Sequence, residues 1–192
     1  MKFALFGKDI GEKDVEYLVQ LIRKLKEYSC ELMVYEPFLP VIRSYAEFKD
    51  INETFSSHPD IVGDVDMVLS VGGDGTLLDT LTMVRDSGIP VLGINLGRLG
   101  FLSSISCDDI IPAIDMVMNG QYSLDQRTLL HLVNKGHMFG DFSYALNDLT
   151  VNRKDSTNLV VIHVYVDDVF LNSYWADGLI IATPVSYTHL RA

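Results

Sequence analysis

Apolar residues run without interruption from Met67 to Val71, stop at a cluster of glycines, and resume at helical spacing. That change of period is the sharpest feature of the chain: MVLSV, then GGDG, then TLLDTLTMVRD reads as a buried strand, a tight turn and a helix beginning at Thr76. The same alternation appears earlier. Lys2 to Phe6 is short, apolar and closed by Gly7, and Val15, Leu18, Val19, Ile22 and Leu25 mark one face of a helix of about four turns. Glu31 to Tyr35 predicts a second strand, stopped by Pro37 and Pro40, and Val41 to Phe48 predicts a short helix. The pattern weakens between Asp50 and Asp66, which is expected to be a surface loop with His58 in solvent. A turn at Ser87-Gly88-Ile89-Pro90 leads into another buried strand, Val91 to Ile94. Strands alternating with helices predict an α/β fold, a parallel Rossmann-like sheet flanked by helices, with ligands at the carboxyl ends of its strands.

The character changes after Ser103. Ile110 to Met118 predicts a helix closed by Gly120, with Pro112 in its first turn. Beyond Gln121 the period shifts toward two, and Leu129–Val133, Phe142–Leu146, Leu159–Val166 and Val169–Tyr174 read as strands. Asn134-Lys135-Gly136 and Asp167-Asp168 read as turns, and Val160, Ile162 and Val164 as sheet core. A boundary near residues 103 to 108 therefore separates an α/β domain, residues 1–105, from a β-rich domain, residues 106–192, expected to be an incomplete β-sandwich.

Composition narrows the function. With 48% hydrophobic residues the chain can bury a core, and its net charge of −11 argues against broad nucleic-acid or anionic-membrane binding. Any anionic substrate must be met by local groups or by a metal. No segment reaches the ~20 apolar residues of a membrane span, and the apolar run at the N-terminus is too short for a signal peptide. Cys30 and Cys107 lack metal-ligand spacing and read as buried thiols, so a cytoplasmic location is expected.

The glycine turn allows two readings. Glycines let a backbone approach a ligand closely, and the N-terminus of the following helix favours an anion such as phosphate. Thr76 with Asp79 also fits a capping box, which would make this a well-capped helix with no ligand. The turn is neither a Walker A loop nor a GxGxxG fingerprint, because it lacks the Lys-Ser/Thr pair of the one and the third glycine of the other. It offers instead a carboxylate, Asp74, able to take a proton from an attacking hydroxyl or to hold Mg²⁺ against phosphates.

GGDGT, Gly72 to Thr76, resembles the signature of NAD kinases, shared with diacylglycerol and sphingosine kinases and, in shorter form, with phosphofructokinases. GINLGRLGFL, Gly93 to Leu102, with its single cation Arg98, resembles the LGxNxGxLGFL segment of NAD kinases, which the lipid kinases are not expected to carry. Asn147-Asp148 matches the place of that family's dinucleotide-contacting Asn-Glu pair, with a carboxylate one methylene shorter. WADGLIIATP, Trp175 to Pro184, resembles DGLIIATPTGSTAY up to Pro184, after which VSYTHLRA departs from the family. The chain is therefore expected to be C-terminally truncated, with residues 185–192 a tail outside the family pattern and no role for His189 or Arg191.

The resemblance implies transfer of a phosphoryl group from ATP, or from polyphosphate, to the 2′-hydroxyl on the adenosine side of NAD. Asp74 would be the base or metal holder, and Gly72, Gly73, Gly75 and Thr76 would cradle phosphates. Asn147, Asp148, Asn158 and Asp177 would position the dinucleotide, with Arg153 and Lys154 able to assist at its diphosphate. Mg²⁺ or another divalent cation is implied as cofactor, and a homodimer or homotetramer as the assembly. Two alternatives stand beside this reading, a GGDGT-type lipid kinase and a catalytically dead nucleotide-binding fragment.

Overall fold

The computed structural model describes residues 1–97, 100, 102–103, 105–134, 136, 142–154 and 158–184, and the chain divides into two compact units, Met1–Asp125 and Gln126–Ala192. The first unit is built on five strands, β1 (Lys2–Phe6), β2 (Glu31–Tyr35), β3 (Thr54–Phe55), β4 (Met67–Val71) and β5 (Val91–Ile94), in the order β3-β2-β1-β4-β5. Every pairing is parallel. Its helices are α1 (Val15–Glu27), α2 (Leu39–Ile42), α3 (His58–Ile61), α4 (Asp74–Val84) and α5 (Ile110–Met118).

Side chains alternate across a strand, so a strand covered on both faces must be apolar throughout. β1 shows this. Phe3 and Leu5 pack with Leu18, Leu21, Ile22 and Leu25 of α1 and with Ile110, Ile114 and Val117 of α5. Ala4 and Phe6 point the other way, into a second core with Ile61 of α3 and Val84 of α4. The expected parallel sheet with helices on both faces is thus the observed one.

α5 belongs to this unit. Its Asp115 accepts hydrogen bonds from the Tyr28 hydroxyl (2.6 Å) and the Lys24 ammonium (2.8 Å) at the end of α1. The first compact unit runs to Asp125. Cys30 lies 3.7 Å from Met118 at the same contact, and burial pushes its thiol above the usual range.

Two local expectations need correction. Val41 to Phe48 is not one helix: α2 starts earlier, with Pro40 in its first turn, and the extended backbone of Tyr45 separates it from a 3₁₀ turn at Ala46–Phe48. The interval from Asp50 to Asp66 is not only loop, since it holds β3 and the short α3. α3 is capped by Ser57 and Asp60, whose carboxylate accepts from the Ser56 and Ser57 amides. His58 is half-buried rather than solvated, its Nδ1 2.5 Å from the Met83 carbonyl.

The second unit is antiparallel. β6 (Leu130–His131) pairs with β7 (Tyr144–Ala145), β8 (Asp148–Asn152) with β11 (Gly178–Ala182), and β9 (Val160–Val166) with β10 (Val169–Ala176). Asp167 and Asp168 join β9 to β10 with φ of 48° and 63°, the left-handed geometry that a two-residue hairpin turn demands. Val160, Ile162 and Val164 share a face as expected but are half-buried rather than core. Among the described residues of this unit no apolar side chain is fully buried. No described helix in the chain is long and apolar enough to cross a membrane.

Candidate active site

In the first unit β1 and β4 are neighbours whose onward connections run to opposite sides of the sheet, the topology that opens a crevice at the carboxyl ends of the strands. A cleft of about 240 Å³ lies there. It is lined by Asp9 and Asp14 after β1, Gly72 and Gly73 after β4, and Asn95, Leu96 and Gly97 after β5. Asp9 and Asp14 went unremarked in the sequence, although the loop following the first strand is where this topology places ligands. A larger hollow of about 300 Å³ opens between α1 and the amino ends of β2 and β3, among Leu25, Cys30, Leu32 and Ile51, away from every motif described above.

The turn itself is tighter than the sequence suggests. α4 starts at Asp74 with Gly73 as its N-cap, two residues before the expected Thr76. Gly72 has φ of +150°, and a Cβ there would collide with the Thr76 side chain, so glycine is required on both counts. The expected Thr76–Asp79 capping box is absent. Thr76 already lies inside the first turn, and Asp79 forms an ion pair with Lys8 at 2.7 Å. Thr80 locks the helix to its strand, its hydroxyl 2.8 Å from the buried Ser70 hydroxyl and 2.9 Å from the Thr76 carbonyl. At Gly73 and Gly75 a Cβ would meet none of the described residues within 4 Å beyond the chain neighbours and the helix's own backbone, so this face of the turn is open.

Asp74 is fixed from outside its own helix. Its Oδ1 accepts the backbone N–H of Leu102 and of Ser103, each at 3.0 Å. A carboxylate in the first turn also lies favourably in the helix dipole. Asn95 shapes the loop between, its Oδ1 accepting the Gly97 amide at 2.8 Å. Ser103 is buried, and its hydroxyl has no partner among the described residues. The structure thus gathers Gly72, Gly73, Asp74, Gly75 and Thr76 beside the second glycine-rich segment. Arg98 in that segment lies outside the described residues, as do His189 and Arg191.

The remaining candidates are in the second unit. The Asn147 carbonyl accepts the Thr183 amide at 2.7 Å, and Asp148 opens β8 opposite Ala182. Asp177 precedes Gly178, which faces Asn152 at the other end of the same ladder. By strand rise, roughly 17 Å of backbone separates the two carboxylate positions. Arg153 is drawn to Asp177, by a 2.9 Å ion pair and by its own amide on the Asp177 carbonyl, so it is engaged where a role at a diphosphate was expected. Lys154 and Asn158 are exposed. Among the described residues no group of three or more His, Cys, Asp or Glu converges as a metal cage.

Comparison with known proteins bears on this arrangement. The family model for the ATP-NAD kinase N-terminal domain matches residues 4–122. The NAD kinase of Cytophaga hutchinsonii is 36% identical over 189 residues, covering 98% of this chain and 64% of that protein. The NAD kinase of Flavobacterium psychrophilum is 39% identical over 190 residues, covering 98% and 65%. The chain thus spans 64% and 65% of the length of these relatives. Among solved structures, yeast NADH kinase complexed with NADH aligns with a TM-score of 0.78 and 26% identity, covering 98% of this chain and 59% of that one. An NAD kinase from Archaeoglobus fulgidus in complex with ATP shares the fold, with a TM-score of 0.65 and 21% identity, covering 99% and 64%.

Proposed function

This chain belongs to the NAD kinase family, and on that premise we propose that it acts in the transfer of the γ-phosphoryl group of ATP to the 2′-hydroxyl of the adenosine ribose of NAD, giving NADP. The observation that carries the proposal is Asp74: one carboxylate, held by two backbone amides, beside a glycine-lined cleft at the carboxyl edge of a parallel sheet. The complex of yeast NADH kinase with NADH supports a nicotinamide dinucleotide as acceptor. The ATP-NAD kinase family match supports ATP as donor, with polyphosphate as the variant to test.

In this reading Asp74 accepts the proton of the 2′-hydroxyl as that oxygen bonds to the γ-phosphorus and the bond to the ADP oxygen breaks. The open faces of Gly73 and Gly75 let phosphate oxygens reach the first-turn N–H groups of α4, whose dipole favours them, and Thr76 adds a hydroxyl. Asn147 and Asp148 address one part of the dinucleotide and Asp177 and Asn158 another, in keeping with the separation along the β8–β11 ladder.

Asp9, Asp14 and Asp74 make the neighbourhood of the cleft acidic, which disfavours a bare triphosphate and favours its divalent-cation complex. Mg²⁺ commonly takes one or two protein carboxylates beside substrate phosphates, a donor set that Asp74 fits. When bound it neutralises charge on the transferring phosphoryl group. The acidity of the chain also supports a protein that binds no nucleic acid or anionic membrane; the free Cys30 and Cys107 support a cytoplasmic location, and family membership supports a homodimer or homotetramer.

The test is NADP formation from NAD and Mg-ATP by the wild-type protein and by Asp74→Asn. A loss on the order of 10²-fold or more is expected, the usual contribution of a general base. Undiminished NADP formation by the variant would overturn the role of Asp74.

A further inference from the structure

We propose that Gly100, Leu102 and Ser103 form a positioning clamp for the Asp74 carboxylate, and that Gly93 and Gly100 are glycines because the clamp leaves no space for a side chain. The proposal rests on the reading of Asp74 given above and deepens it. Three contacts converge. Successive amides, Leu102 and Ser103, both donate to Oδ1 at 3.0 Å, which fixes the rotation of the carboxylate and hence the direction of Oδ2. Gly100 lies flat against the same group: a Cβ there would strike Cγ, Oδ1 and Oδ2 together. Gly93 in β5 completes the fit, since a Cβ on it would stand 3.0 Å from the Ser103 Cα and 2.6 Å from a Leu77 methyl.

The clamp is anchored to the sheet. Ile105 donates its amide to the Gly93 carbonyl at 3.2 Å and accepts the Asn95 amide at 2.8 Å, continuing the parallel ladder of β5. Leu102 and Ser103 are thus held by Asp74, and Ile105, two residues further on, by backbone bonds to the strand. A carboxylate tethered only within its own helix could rotate and sample several directions. This one is oriented by a separate element before any substrate arrives, the preorganisation that phosphoryl transfer relies on. Gly93 and Gly100 are therefore positioning residues, acting through Asp74.

The first test is amide hydrogen exchange followed by NMR on the chain as it stands. Asp74→Ala is expected to speed exchange at Leu102 and Ser103 by about tenfold or more, with Ile105 and Asn95 unchanged, because only the first two lose their acceptor. Equal acceleration at all four amides, or none at any, overturns the clamp. The second test is kinetic. Gly100→Ala is expected to lower kcat for NADP formation on the order of a hundredfold, the cost of ~1 Å of misplacement, with KM for NAD and ATP little changed. The same substitution in an Asp74→Asn background is expected to add no further loss. Losses that multiply, or a KM change that accounts for the whole effect, overturn the proposal. Should Gly100→Ala fail to fold, the exchange measurement on the wild type and Asp74→Ala decides alone. If Leu102 and Ser103 respond as expected but Asp74→Asn still forms NADP, the clamp stands and the catalytic reading falls.

Discussion

The two units treat the same kind of residue in opposite ways. In the first, β1 sends apolar side chains to both faces and every one from Phe3 to Phe6 is buried, because helices cover each side. In the second, the β9–β10 hairpin is as rich in large apolar residues, yet Trp175 is 73% and Val169 70% exposed. Both were legible as strands. The contrast separates pairing from burial: backbone ladders need only strand-forming residues with compatible register, whereas burial needs a second layer placed over the ladder. A two-stranded ribbon has no such layer of its own.

That contrast can be tested by substitution. Phe3→Ala should be the most damaging, about 3–5 kcal/mol, as a large side chain is lost from a site with no room to collapse. Its measurement is the urea midpoint of the first unit. Thr80→Val should follow at about 1–2 kcal/mol, because it leaves the buried Ser70 hydroxyl without its partner. Asp115 gives a smaller effect with a defined sign. Hydrogen bonds from Lys24 and then Tyr28 hold its carboxyl below the usual value, so its stabilising contribution is complete above the unfolded value near 3.8 and disappears as pH falls through the lower folded value. Wild type should therefore exceed Asp115→Asn in urea midpoint at neutral pH, and the two should converge in strong acid. Ile180→Ala in the second unit should change stability least, within about 0.5 kcal/mol, because that side chain is already mostly in water. A loss at Ile180 comparable with that at Phe3 would remove the distinction between the units.

How far the structure could be read from the chain follows the same division. β1, β2, β4, β5, α1 and α5 were legible because burial leaves a short apolar run in each strand and a helical period in each helix. The start of α4 was misplaced by two residues because Asp74 is an acceptable first-turn residue, and nothing local shows that Gly73 already caps the helix. His58 was placed in solvent on the strength of its polar neighbours, and only the approach of Met83 from α4 withdraws it. The clamp on Asp74 left almost no trace in side-chain chemistry, since its donors are backbone amides 28 and 29 residues away. Its one visible mark was the spacing of glycines in GINLGRLG, whose geometric cause required the fold. The Arg153–Asp177 pair was hidden for a related reason: it depends on the register of β8 against β11.

The docking of α5 on α1 has a consequence for how this unit is made. The Tyr28–Asp115 bond spans 87 residues of chain, and the apolar face of α1 shares its core with Ile110, Ile114 and Val117. During synthesis α1 emerges early and waits for that covering until α5 has left the ribosome. At about 5–20 residues per second that is a delay of several seconds, during which an amphipathic helix and a growing sheet stand half-clothed in water. Final closure of the first unit is therefore tied to the completion of its own last helix, and its most vulnerable form is a nascent one.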